Sequence, residues 1–263
     1  MAPLQLFNLV VPAAIAAILG LLVIAVSLAY SQNAPIPKVR RRGTPVHLLV
    51  VLGSGGHTAE MFYMLDRIPG DLNFYTYRTY VVSSGDDLSA DKAVEFEARN
   101  AKKLGKPEDP GSYSIVTIPR ARRVHQSYLT APFSTISCFY ACILVLCGRF
   151  PGQPKLPAEY PSSHPDLIVT NGPAISVCMI CAAKLLRFFI FVFRWVTARG
   201  TQPTVSRLRT MFVESWARVN TLSTSGVLLL PLADSFLVQW PALAGRRAWW
   251  GMKKTEHAGW VVV

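Results

Sequence analysis

Val46-His-Leu-Leu-Val-Val-Leu52 runs directly into Gly53-Ser-Gly-Gly-His-Thr58 and on into Ala59-Glu-Met-Phe-Tyr-Met-Leu65. An apolar run of this kind closed by glycine fits a buried strand of a parallel sheet. The stretch that follows is rich in helix formers. It spaces Met61, Phe62 and Leu65 as one face of a helix and sets Thr58 where an N-cap belongs. Strand, glycine loop and helix in that order open a nucleotide- or phosphate-binding α/β domain. Glycine lets backbone N–H groups approach an anion, and the helix N-terminus adds positive potential. The loop matches neither GxGxxG nor GxxxxGK(S/T), so the common dinucleotide and P-loop readings do not fit it. His57 at the helix mouth is its unusual member.

Ahead of this unit the chain carries no Lys, Arg, Asp or Glu in residues 1–37. Leu9 to Tyr30 is apolar almost throughout, about 22 residues and enough to cross a hydrocarbon core. A signal peptide would have a basic start, a shorter apolar run and a small-x-small cleavage site. Lys38, Arg40, Arg41 and Arg42 follow at once, and the positive-inside rule places them in the cytosol. The expectation is a signal anchor over 1–37 (span about 9–30), a basic linker over 38–43 lying on anionic headgroups, and a cytosolic body over 44–263.

Composition agrees with membrane contact: 51% of the 263 residues are hydrophobic and the mean hydropathy is +0.30. The formal charge of +12 calls for an anionic surface or substrate. No nucleic-acid-binding motif accompanies it, which favours membrane and phosphate over RNA or DNA. Five cysteines, an odd number in apolar segments, argue against a disulfide framework, and Cys178-x-x-Cys181 reads as core cysteines.

Further along, strands are expected at Thr76–Ser83, Tyr113–Ile118, Asp166–Asn171, Met211–Val219 and Ala233–Trp240, about six in all with the first, alternating with helices. Such a pattern describes a single doubly wound, Rossmann-like parallel α/β sheet from about Thr44 onward. Ligands gather beyond the carboxyl ends of such strands, so Ser84 and Gly85 and the basic loop Arg120-Ala-Arg122-Arg123 become site candidates. Arginine suits bidentate phosphate recognition. The apolar 128–150 segment reads as a crossover helix that is buried or touches the membrane. In the 174–195 segment Lys184, Arg187 and Arg194 fall on nearly one face, as in a helix lying on a membrane with cations snorkelling to phosphates.

Gly53-Ser-Gly-Gly-His-Thr-Ala-Glu60, Ser83-Ser-Gly-Asp86, Ile118-Pro-Arg-Ala-Arg122, Asn171-Gly-Pro173, Glu214-Ser-Trp-Ala-Arg-Val219 and Ala233-Asp234 with Val238-Gln-Trp-Pro241 stand in this order along almost the whole chain. Together they closely resemble the asparagine-linked glycosylation protein 14 family. The stretches 190–210 and 249–252 depart from its pattern. The resemblance implies one half of a split GT-B glycosyltransferase in the endoplasmic-reticulum membrane, and also in the nuclear membrane, with its body on the cytosolic face. It would pass N-acetylglucosamine from UDP-GlcNAc to GlcNAc-diphospho-dolichol in the assembly of the lipid-linked oligosaccharide for protein N-glycosylation.

The resemblance further implies a heteromer with a soluble catalytic subunit, asparagine-linked glycosylation protein 13, and contact with other early transferases of the pathway. The body is long enough for one Rossmann-like domain where a GT-B enzyme needs two, so inactivity alone is expected. No cofactor and no metal are expected; UDP-GlcNAc would be a substrate held mainly by the partner.

On this reading the acceptor diphosphate is bound by Gly53, Ser54, Gly55, Gly56, His57, Thr58, Ser84, Gly85, Arg120, Arg122, Asn171, Gly172, Glu214 and Arg218. His57 is the candidate base, because imidazole titrates near neutrality; Glu60, Glu214 and Asp86 are weaker ones. Trp260, Val261, Val262 and Val263 form a bare apolar tail read as the partner-binding element. Two rival readings are a pure membrane scaffold for the catalytic subunit, with no substrate site, and a stand-alone nucleotide-binding oxidoreductase.

Overall fold

The computed structural model describes residues 3–33, 44–67, 75–103, 113–122, 126–127, 129–160, 162–172, 174–197 and 207–259. The 38–43 linker and the Trp260–Val263 tail lie outside the described residues. In chain order the elements are α1 (Pro3–Asn33), β1 (His47–Val51), α2 (Gly56–Asp66), β2 (Tyr77–Ser83), α3 (Asp87–Lys103), β3 (Tyr113–Ile118) and α4 (Ala131–Leu146). Then come β4 (Leu167–Asn171), α5 (Ala174–Val196), β5 (Arg209–Val213), α6 (Thr224–Leu229), β6 (Ser235–Val238) and β7 (Glu256–His257).

The strands form one parallel sheet in the order β3-β2-β1-β4-β5-β6-β7. Chain order reverses between β1 and β4, which is where ligands collect in open sheets of this kind. The expected count of six strands is thus corrected to seven by the short edge strand β7. The strand expected over Met211–Val219 ends at Val213, and Glu214 to Val219 turn away from the sheet.

Alternation along β1 builds both faces of the sheet. Leu49 and Val51 pack with Val81, Val116 and Ile168 under α4 and α5, while Leu48 and Val50 pack with Tyr80, Met61 and Phe96 under α2 and α3. Burial on both faces explains why β1 reads as a continuous apolar run. Arg78 and Tyr80 of β2 fasten α3: Arg78 makes a fork to both oxygens of Glu97 (2.5 and 2.7 Å), and the Tyr80 hydroxyl donates to the same carboxylate at 2.6 Å. The five cysteines are free, and Cys138, Cys142 and Cys178 are buried where α4 meets α5.

The first half of α5 is core, with Met179, Ala182 and Ala183 fully buried. Its cations correct the membrane-surface expectation. Lys184 and Arg187 turn inward, each 2.6 Å from a carboxylate oxygen of buried Asp234. Asp234 also accepts from the Thr210 amide at 3.0 Å, so three segments converge on one carboxylate. Burial alone would push the Asp234 pKa up, but Lys184 and Arg187 outweigh it and hold it below the usual value.

The far end of the cluster is α1. Lys184 and Arg187 both donate to the Ser31 hydroxyl at 3.2 Å. Beside it, buried Gln32 donates to the carbonyls of Leu230 (3.0 Å) and Ala233 (2.7 Å). Pro12–Asn33 is long and apolar enough to span a membrane, and among the described residues its last turn is bonded to the body.

Apolar side chains remain exposed on α4 (Phe133, Ile136, Tyr140) and on the second half of α5 (Phe188, Phe189, Phe191, Phe193). At 23 residues α5 is about 34 Å long, roughly twice the length of β4, so this half overruns the sheet.

Replacing Asp234 with Ala leaves two buried cations without their counter-charge, which should cost about 3–5 kcal/mol. Denaturation of the full chain in detergent checks this. In the parent protein the Asp234 contribution is complete above the ordinary carboxylate pKa and disappears as pH falls through the lower folded-state value.

Candidate functional site

The turn between β1 and α2 begins with a glycine that has no room for a side chain. A Cβ on Gly53 would lie 2.7 Å from the His57 Cβ and 3.2 Å from the Asn171 carbonyl. Opposite, Gly172 sits at φ +95°, and a Cβ there would lie 2.9 Å from the His57 ring. The imidazole therefore fills a slot whose two walls are bare backbone. The His57 side chain, packed between the ends of β1 and β4, leaves no room for a Cβ at Gly53 or Gly172.

Gly55 takes φ +66° and is the N-cap of α2. That corrects the assignment of Thr58 as cap: the helix starts three residues earlier, and the Thr58 hydroxyl is buried. It donates to the Gly53 carbonyl and lies 2.7 Å from the Ser89 hydroxyl, which in turn donates to Asp86 at 2.8 Å. Thr58 thus ties the first glycine turn to the turn after β2, and its side chain does not line the cradle. Gly56 is different. Its φ is ordinary, a Cβ would meet nothing within 4 Å, and glycine in a first helical turn costs about 1 kcal/mol relative to alanine. Ser54, Gly55 and Gly56 form the exposed rim of the site.

Behind the rim, His57 heads a polar relay. Asn171, fully buried at the end of β4, donates through Nδ2 to Glu60 Oε2 at 2.8 Å. Its Oδ1 lies 3.1 Å from His57 Nδ1. Ser215, just past β5, donates to Glu60 Oε1 at 3.0 Å. An ionised carboxylate only accepts, so Asn171 must turn its amide nitrogen to Glu60 and its oxygen to His57. Nδ1 then carries the proton, and in the neutral ring the lone pair is on Nε2, for which the described residues supply no partner.

Burial is the largest single influence on Glu60 and pushes its pKa up. The bonds from His57, Asn171 and Ser215 together outweigh it, leaving Glu60 below the ordinary value and ionised at neutral pH. The Glu60 carboxylate, 3.6 Å from Nδ1, is in turn the main reason that His57 titrates above its ordinary value, against the opposing effect of partial burial. The imidazole is 32% exposed, open enough to meet a ligand.

Other sequence candidates are placed differently. Arg120 donates through Nε to the Ser84 carbonyl (2.7 Å) and through Nη2 to the Gly85 carbonyl (2.9 Å), so it clamps the turn after β2. Ser84 and Gly85 themselves are exposed, and Gly85 adopts φ +74°. Asp86 belongs to the start of α3 through Ser89 and is corrected from base candidate to structural partner. Glu214 is corrected likewise. Only 2% exposed, its carboxylate accepts from the Ser215 and Ser223 amides at 3.1 and 3.0 Å and from the Ser223 hydroxyl, which caps α6.

Arg122, beyond β3, and Arg218, beyond β5, are both exposed past the carboxyl ends of their strands. Glu60 and Ser215 are the members that sequence reasoning underrated. Their one signal was spacing, since Glu60 stands three residues after His57, which puts both on one helical face.

The fold and site define a class: a Rossmann-like α/β domain behind an apolar N-terminal helix, with a glycine turn and an oriented imidazole at its topological switch point. The family described as "Oligosaccharide biosynthesis protein Alg14 like" matches residues 48–260, and the chain belongs to that family. It is 53% identical over 227 residues to the UDP-N-acetylglucosamine transferase subunit alg14 of Aspergillus fumigatus, covering 77% of this chain and 100% of that protein. The proteins of the same name from Schizosaccharomyces pombe (34% identity; 96% and 98% covered) and Homo sapiens (34%; 74% and 76%) are also similar.

Gly172→Ala should displace the imidazole and add backbone strain at a positive φ. The expected result is a His57 that titrates closer to the ordinary imidazole value, read by NMR, with far-UV circular dichroism unchanged.

Proposed function

We propose that the chain is the membrane-anchoring, acceptor-binding subunit of a two-chain UDP-GlcNAc transferase. The enzyme adds N-acetylglucosamine to GlcNAc-diphospho-dolichol on the cytosolic face of the endoplasmic reticulum. The observation that carries the reading is the His57–Asn171–Glu60 relay at the open glycine rim, in a family whose relatives are named for this transferase. α1 crosses the membrane. The exposed aromatic faces of α4 and α5 rest against it, which keeps the strand ends within reach of a lipid diphosphate.

At the site, the amides of Ser54, Gly55 and Gly56 and the N-terminus of α2 receive the diphosphate, with Arg122 and Arg218 lending positive charge. The missing side chain at Gly56 lets phosphate oxygens come close to the backbone. His57 Nε2 accepts the proton of the acceptor hydroxyl as that oxygen attacks the anomeric carbon of UDP-GlcNAc. The bond from that carbon to UDP breaks, and UDP leaves on the soluble catalytic subunit. Glu60 touches no substrate. It positions the ring through Asn171 and stabilises the imidazolium, the division of labour seen when a carboxylate orients a histidine base. The donor is held by the partner, of the asparagine-linked glycosylation protein 13 family, and no metal or cofactor takes part. A chain that served only as a scaffold would have no use for an oriented, outward-facing Nε2.

His57→Ala in the purified pair should lower kcat by about 10²–10⁴-fold with the complex intact. Unchanged transfer would leave the scaffold reading standing. Glu60→Gln keeps the shape of the relay and removes its charge, so His57 should titrate lower. The acid limb of kcat/KM then moves to lower pH. Activity that instead falls as His57 deprotonates would identify the ring as a phosphate donor.

Deleting Trp260–Val263 should release the soluble subunit while this chain stays with the membrane. Undiminished co-purification would refute that role for the tail.

A further inference from the structure

The turn Trp249-Trp-Gly-Met252 has no part in the relay. Met252 is buried, whereas Trp250 is 86% exposed and Trp249 is exposed beside it. Among the described residues, nothing covers the Trp250 ring. The turn is fixed in place, and by α1. Asn33 donates through Nδ2 to the Gly251 carbonyl at 3.0 Å, and Gln32 Oε1 accepts from the Lys253 amide at 3.2 Å. Three residues before Asn33, about 4.5 Å along the helix, Tyr30 is 79% exposed. Three exposed aromatic side chains thus lie near the end of α1, whose Pro12–Asn33 stretch is long and apolar enough to span a membrane.

The charges around the turn are of one sign. Arg246, Arg247, Lys253 and Lys254 flank the tryptophans, and Glu256 is the one acid from Ser235 to the end of the sequence. Lys253 reaches the Asp234 carbonyl and Arg246 the Asn220 carbonyl, while Arg247 and Lys254 are exposed. Indole and phenol rings concentrate where hydrocarbon meets headgroups, because their apolar body and polar edge prefer different sides of that boundary. Cations just beyond it gain from anionic lipid.

We infer that Trp249 and Trp250, with Tyr30, form an interfacial belt that sits at the headgroup level of the membrane crossed by α1, with Arg247 and Lys254 against anionic headgroups. The belt fixes the depth of the α1 end. Because the Asp234 cluster joins that end to α5 and β6, it also fixes the height of the body above the bilayer. The inference rests on the reading of α1 as a span and goes beyond it by adding a second contact from the other end of the chain.

The test uses the full chain reconstituted in phosphatidylcholine vesicles containing phosphatidylserine, with or without phosphatidylcholine brominated high on its acyl chains. Bromine quenches only tryptophans at its own depth. The bromine-quenched part of the emission should fall about twofold in Trp249→Phe/Trp250→Phe, as expected if these rings lie in the interface. In Arg247→Gln/Lys254→Gln, the extra quenching that phosphatidylserine brings should be lost. Alkaline carbonate extraction reads the span separately. Protein that stays in the carbonate pellet, with quenching equal in the parent and the double-Phe variant, overturns the belt and leaves α1 as a span. Release into carbonate overturns both.

Discussion

Two turns of this protein, one after β1 and one after β4, approach each other more closely than side chains would allow, and the ring of His57 occupies the space between them. Gly53 and Gly172 are bare because a Cβ on the first would lie 2.7 Å from the His57 Cβ and one on the second 2.9 Å from the ring. The wedge sets where α2 starts, how α2 sits against β4, and which way the imidazole faces. Asn171 and Glu60 complete the arrangement with hydrogen bonds whose donors and acceptors can pair in one sense only. A buried polar network satisfied in this way is rigid, because every alternative leaves a polar atom without a partner. The site is therefore preformed by the same contacts that close the switch point of the sheet.

A second network, at the opposite ends of the strands, links the fold to the apolar helix α1. Asp234 precedes β6 and collects Lys184, Arg187 and Thr210, and the two cations reach on to Ser31 at the end of α1. The fused arrangement makes α1 part of the folded body at its last turn and independent of it elsewhere. A buried pair of this type adds little stability over an apolar replacement, yet losing one partner is costly, so its value is in specifying geometry. Here the specified geometry is the junction between an apolar helix and the α/β body.

The distribution of apolar surface fits the same division. The α2–α3 side of the sheet is closed by helices with polar outer faces, whereas α4 and the overhanging half of α5 expose rows of aromatic residues. A soluble domain seldom leaves a patch of that size uncovered. The asymmetry gives the body a side suited to lie on a bilayer, with the glycine rim at the end of the strands and the basic residues Arg122 and Arg218 nearby.

The linear sequence determined the parallel α/β class, the apolar N-terminal helix and the glycine turn with its histidine. Each of these depends on local periodicity or on a run of neighbours in the chain: the unbroken apolar β1, the charge-free first 37 residues, the strand–glycine–helix order. What the tertiary structure decided was the use of individual polar groups. Lys184 and Arg187 read as outward cations because helical spacing says which residues share a face but not what that face meets, and Asp234 lies far away in the sequence. Glu214 and Asp86 read as candidate bases for the same reason; Glu214 proved to be held by the Ser215 and Ser223 amides and the Ser223 hydroxyl, and Asp86 to accept from the Ser89 hydroxyl. Arg120 became a clamp on the Ser84–Gly85 turn. Glu60, Asn171 and Ser215 come from three separate segments and become a relay only when β1, β4 and β5 are side by side. A charge in a sequence has a sign and a position. Its partner, and so its role, exists only once the sheet has ordered its strands.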